Sequence, residues 1–215
     1  MFRFISTGLV LCTMLLTNEV QGGQSTVVSL TATIDDVFTK YLANGNVITK
    51  RITGLFYRDS HGRTRIDRGD LVIIQDPTTQ TNIVINMKTK LARRLVSSSS
   101  NAKPASAPTI LSIKKNSPYK DLGSRIMDGI AAKGIEYSLT VPSGAVGNRD
   151  PIRQITEVWY SEHIALSLMT KASNPLDGDH LQTYHDIVQG ATVDPGLFKI
   201  PTDVRVEDVK PIPRK

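Results

Sequence analysis

Between Ile152 and Val188 three strand-like runs follow one another, separated by short breaks. The runs are Ile152–Tyr160, Ile164–Lys171 and His180–Val188, and the breaks are Ser161-Glu162-His163 and the segment from Asn174 to Asp179. A period of two predicts strands with one face inward. Breaks this short join antiparallel neighbours, because a parallel crossover needs a dozen or more residues. In the middle run Ile164, Leu166 and Leu168 mark the inward side, with Ala165, Ser167 and Met169 opposite. The alternation is cleanest over Ile135–Val141, where Ile135, Tyr137, Leu139 and Val141 interleave with Glu136, Ser138 and Thr140.

Upstream the signals are of the same kind. Asn82–Leu95 reads as one run, with Ile83, Ile85, Met87, Leu91 and Leu95 on one side and Asn86, Lys88, Lys90 and Arg94 on the other. Leu71–Ile74 is apolar throughout and predicts a central strand covered on both faces. Ser25–Leu42 fits two patterns. Ile34, Val37, Phe38, Tyr41 and Leu42 fall at helical spacing, with Thr33 and Asp36 placed as a cap, yet the composition suits a strand. Asn44-Gly45 favours the strand, since both residues accept the positive φ of a two-residue type I′ hairpin. A strand then returns over Val47–Asp59, and Asp59-Ser60-His61-Gly62 is a turn. Ala132-Lys133-Gly134 is read as a turn after Tyr119–Gly129, and Pro142–Pro151 as a loop. The pattern predicts a mainly β chain folded as an antiparallel sheet, with few or no helices.

The chain has 215 residues with 40% apolar content, and a domain of that size buries roughly 70% of its unfolded surface without disulfide or metal. Residues 1–22 have the form of a signal peptide, with Arg3 before an apolar stretch from Phe4 to Leu16 and Val20 and Gly22 at the cleavage positions. The expected organisation is therefore a leader over 1–22, one β domain over 23–205 with a mobile Ser/Ala/Pro-rich loop at 97–108, and a flexible tail at 206–215. The single cysteine, Cys12, falls in the leader, so thiol chemistry and cysteine-bound zinc are excluded from the mature chain. No later stretch approaches the roughly 18 apolar residues of a membrane-spanning helix, and no transmembrane anchor is expected. The expected location is the periplasm or the exterior. The net charge of +6 favours anionic neighbours in the envelope, and nucleic acid is not an expected partner of an exported chain with so few clustered aromatics.

Reactive constellations are sparse. His180 and His185, five apart on one strand, point to opposite faces, so a shared metal is not expected. His61 and His163 sit in turns. The stretch Gly129 to Gly134 fails as a phosphate loop, because its lysine precedes the second glycine and no Ser or Thr follows. Ser143-Gly144 lacks a nucleophile elbow, and Asp177-Gly178-Asp179 offers too few oxygens for calcium. No catalytic residue, metal site or cofactor is expected. The charged run Arg58, Asp59, Arg63, Arg65, Asp67, Arg68 and Asp70 reads first as cross-strand ion pairs. Its alternative is an anion or partner patch of Arg58, Arg63, Arg65, Lys88, Lys90 and Arg94. Trp159 and Tyr160, adjacent on a strand, must face opposite ways.

Taken together, Tyr57 to Arg65, Ile74-Gln75-Asp76-Pro77, Gly129 to Pro142, Val146 to Ile152, Glu157 to Ser161 and Asp194-Pro195-Gly196-Leu197-Phe198-Lys199-Ile200-Pro201 resemble an exported family of uncharacterised proteins common in acidobacteria. That family is similar, in strand order and in the closing DPxLFxxP, to the periplasmic lipoprotein-carrier superfamily of LolA, LolB and RseB-type sensor domains. The resemblance implies a curved antiparallel sheet or half-barrel of roughly 8–11 strands whose apolar concave face shelters a lipid or lipoprotein acyl chain, and it implies no catalytic residues. The candidate ligand face is then Ile83, Ile85, Met87, Tyr137, Leu139, Ile164, Leu166 and Leu168. The other expectation is a protein-interaction or envelope-sensing module whose core is filled by its own side chains.

Overall fold

A computed structural model describes residues 27–96 and 118–209. The expected leader, the loop at 97–108 and the last prolines of the tail lie outside the described residues. Twelve strands follow in order: β1 Leu30–Tyr41, β2 Val47–Arg58, β3 Thr64–Arg68, β4 Leu71–Asp76, β5 Thr81–Asn86, β6 Leu91–Val96, β7 Tyr119–Met127, β8 Ile130–Val141, β9 Ile152–Ser161, β10 Leu166–Asn174, β11 Gly178–Gln189 and β12 Arg205–Val209. They form one curved sheet in the order β12-β6-β5-β4-β3-β2-β1-β11-β10-β9-β8-β7, open at both edges. All pairs are antiparallel except β12 with β6. The mainly β class is as expected, and the only helical element among the described residues is a single 3₁₀ turn, Pro195–Phe198, capped by Asp194 through the Gly196 N–H.

Ser25–Leu42 resolves as strand from Leu30 onward, and the hairpin with β2 forms as expected. Its turn is longer than two residues: Gly45 N–H donates to Leu42 O at 3.0 Å and Leu42 N–H to Asn46 O at 2.8 Å, with Gly45 alone at positive φ (83°). The two-residue type I′ geometry occurs elsewhere, at Asp128 (φ 50°) and Gly129 (φ 73°) between β7 and β8. The turn expected at Ala132-Lys133-Gly134 therefore lies inside β8, because Asp-Gly accepts positive φ at both positions and Ala-Lys does not. The single run expected over Asn82–Leu95 is two strands, reversed at Met87–Lys90 where Lys90 takes φ 53°. Reversal changes the parity: Ala92 is buried, and Leu95 is exposed. In the tail, Val206–Val209 add to the sheet beside β6 rather than trailing away.

Both faces of the sheet carry cover. On one face Leu30, Ala32 and Ile34 of β1, Phe56 of β2, Ile66 of β3 and Ile73 of β4 join Ile164, Leu166 and Leu168 in the main cluster. On the other, Val72 and Ile74 of β4, Ile83 and Ile85 of β5 and Ala92 of β6 pack beneath Phe198 and Val204. Leu71–Ile74 is apolar throughout because it contributes to both clusters. The DPxLFxxP segment is thus a cover for one face, pinned by Arg63, whose guanidinium lies 4.6 Å from the Phe198 ring centre, and by Arg65 Nη1 donating to Leu197 O at 2.7 Å.

Candidate functional site

Strand β1 lines up Leu30, Ala32, Ile34 and then Asp36 on one face. The first three belong to the main apolar cluster, and Asp36 is only 1% exposed. Burying a lone carboxylate is costly, so partners converge on it. Gln182 Nε2 donates to Asp36 Oδ1 at 3.1 Å, His180 Nε2 is 2.8 Å from the same oxygen, and Arg68 Nε is 2.9 Å from Oδ2. Arg68 ends β3, and β2 stands between it and β1. Its path is open because Gly54 of β2 has no side chain: a Cβ there would lie 2.9 Å from Arg68 Cγ and 2.3 Å from Asp67 O. The Arg68 Nε contact is one of charge, without the direction of a hydrogen bond, and Nη2 is shut from solvent with no acceptor among the described residues.

The register shows what lies beyond this cluster. Directly paired residues across β8, β9, β10, β11, β1 and β2 form the row Ile135, Val158, Thr170, Gln182, Asp36, Ile52. Two residues further along each strand comes Tyr137, Thr156, Ala172, His180, Phe38, Lys50. Next come Leu139, Gln154, Asn174, Gly178, Lys40 and Ile48. The first row is buried except for half-buried Ile52, the second is half-buried up to exposed Lys50, and in the third Leu139 and Ile48 are 62% and 54% exposed. Side chains therefore fill this face at one end and leave it progressively open towards the β1–β2, β8–β9 and β10–β11 turns. His180 stacks flat on Phe38, with centroids 4.3 Å apart, at the step where the face opens.

The structure divides the sequence-predicted ligand residues among three places. Ile164, Leu166 and Leu168 are in the filled core. Ile83, Ile85 and Met87 belong to the cluster on the opposite face, under Phe198, because the sheet has cover on both sides. Tyr137 and Leu139 do stand in the opening face. The predicted cationic patch is also dispersed. Arg58 is internal, donating to Val28 O, Ala165 O and Ile164 O, and burial pushes its pKa down to about 10. Arg63 is held by Asp59, Arg65 by Asp67, Lys90 by Asp203 and Arg94 by Asp208. Lys88 is exposed in the β5–β6 turn.

His180 and His185 do face opposite ways, each towards an acid: Asp36 for the first, and Asp35 at 3.0 Å with Asp186 at 2.9 Å for the second. Trp159 joins the main cluster, with Arg125 stacked 3.8 Å above its ring, while Tyr160 packs with Ile135 and Val158. Sequence reasoning missed Asp36, Gln182 and the reach of Arg68. The available signal was an aspartate at an inward position of an otherwise apolar β1 face, which demands a buried partner.

No protein-family model matches the chain, and no curated protein does. Solved structures do. The fold is similar to an uncharacterized conserved protein from Thermus thermophilus, with a TM-score of 0.51 at 7% identity over 85% of this chain and 91% of that one. It is also similar to a chain of the MucA/MucB complex of Pseudomonas aeruginosa, with a TM-score of 0.45 at 14% identity over 85% of this chain and 59% of that one. LprF from Mycobacterium bovis aligns with a TM-score of 0.37 at 12% identity over 83% of this chain and 90% of that one. At 7% identity the likeness to the Thermus thermophilus protein is one of fold alone.

Proposed function

We propose that this chain is a non-catalytic, exported binding protein that shelters an acyl chain or similar amphiphile against the open part of the β8-β9-β10-β11-β1-β2 face. The observation that carries the reading is the burial gradient along three successive cross-strand rows on one face. A closed core would hold Phe38, Tyr137, Ile48 and Leu139 out of water, and a purely solvated face would not carry them. Half-exposed apolar side chains lining one end of a curved sheet provide the surface that a flexible hydrocarbon covers. No helix among the described residues is long and apolar enough to cross a membrane.

Native mass spectrometry of the protein purified from the envelope of an exporting cell tests this. A lipid-like mass bound near one per chain is the expected result. Recovery of background lipid alone would count against it. The second reading, an envelope-sensing or protein-interaction module, is favoured by one feature, the strand β7, which is exposed along most of its length and is an edge of the sheet among the described residues, the position at which a partner's strand is added. Its Gly123 bulge, held by Asp121 accepting from the Gly123 N–H at 2.7 Å, limits that pairing.

A further inference from the structure

We infer that the open face selects amphiphiles with an anionic head, that the anion is bound at Arg68 beside His180, and that the chain lies outward along the face. The inference rests on the acyl-binding reading above and adds the chemistry of the head. Arg68 carries a side chain 8% exposed, and its Nη2 has neither solvent nor an acceptor among the described residues. A buried guanidinium N–H without an acceptor is a strong, uncompensated donor, and a carboxylate or phosphate oxygen is the group that satisfies it best.

Charge on the face points the same way. In the three rows the only acid is Asp36, already engaged by Arg68, His180 and Gln182, whereas Lys50 and Lys40 stand on the same face towards the opening. Asp35, the neighbouring acid, faces the other side with His185. The route inward passes His180, whose side chain is 24% exposed, and Phe38 stacked on it. From Asp36 to Lys40 is four residues of strand, roughly 13 Å, and along it Phe38, Ile48, Ile52 and Tyr137 offer apolar surface to the chain. Carboxylates and phosphate monoesters share the required chemistry.

Displacement of N-phenyl-1-naphthylamine, a neutral apolar probe, by dodecanoate, dodecyl phosphate and dodecanol separates the cases. The expected result is that one or both anions displace the probe about tenfold or more better than dodecanol. Arg68→Lys keeps a cation beside Asp36 but lacks the second donor arm. It should lower the anions to the level of dodecanol and leave dodecanol unchanged, with the circular dichroism spectrum retained. Equal displacement by all three ligands in the wild-type protein would overturn the anion site while leaving the acyl reading standing. Failure of every ligand and of the probe to bind would overturn both. Undiminished anion binding in Arg68→Lys would also overturn the inference, and if that variant does not fold, the wild-type comparison of heads decides alone.

Discussion

At the scale of the residue, stability depends on how each internal charge is met. Arg58 donates to three carbonyls, at 2.9 Å to Val28, 3.2 Å to Ala165 and 2.5 Å to Ile164, and so ties β2 to the start of β1 and to the β9–β10 turn. His185 shows the opposite arrangement, a half-exposed imidazole between two acids. Burial pulls its pKa down, but hydrogen bonds with Asp35 and Asp186 more than offset this and raise it above 6.5. Asp35 is lowered below 3.8, chiefly by the Thr53 hydroxyl, against the effect of burial and with help from His185. A raised histidine stabilises fully below its unfolded pKa and loses that contribution as pH rises through the folded value. The depressed aspartate stabilises above its unfolded pKa and loses that contribution as pH falls through its folded value. Both contributions are present between about pH 4 and 6.5. His185→Asn should therefore lower the urea midpoint most near pH 5.5 and least near pH 8.5. A destabilisation independent of pH would show that the pairing has no titrating role.

At the scale of the element, a missing side chain on β2 decides how three strands communicate. Gly54 lets Arg68 cross from β3 to Asp36 on β1, and the carbonyl of Asp67 approaches where a Cβ would stand. Gly54→Ala forces either the β2–β3 pairing or the arginine aside, and the expected cost is about 1–3 kcal/mol, read as a lower urea midpoint with an unchanged slope. An unchanged midpoint would mean that the strands relax around a methyl group freely. The β7–β8 hairpin is similarly anchored, with Ile187 N–H donating to Asp128 Oδ2 at 2.7 Å, so its Asp-Gly turn is joined to β11 as well as reversing the chain.

At the scale of the whole molecule, one sheet is stabilised from two sides by different means: side chains within its curvature on one face, and the 3₁₀ segment with Phe198 and Val204 on the other. Strand β12 then caps β6, carrying the paired contacts of Arg94 with Asp208 at 2.7 and 3.1 Å. These are exposed charges, screened by solvent and of little weight, so the strand matters more as an edge cover than as a source of stability. A chain ending after Val204 should keep its fold but expose β6, and sedimentation of the two side by side should show more self-association for the shortened chain than for the full one. A monomeric truncated chain would remove that role from β12.

Alternation of side chains at Ile135–Val141 and at Ile164–Met169, with the short breaks between the runs after Ile152, was sufficient to specify an antiparallel sheet, because strand pairing with short connections depends on local pattern alone. The same signal does not separate two faces that are both covered, which is why it groups Ile83 and Ile85 with Leu166 although Phe198 covers them from the other side. Nor does it place the Asp128-Gly129 reversal against Ala132-Lys133-Gly134, where glycine marks packing rather than a turn: a Cβ at Gly134 would meet the Trp159 ring at 2.8 Å. The convergence of Asp36, Arg68, His180 and Gln182 was decided only by tertiary structure. It depends on register between strands distant in the chain and on the gap at Gly54, and a buried charge is tolerated only where such long-range geometry supplies its partners.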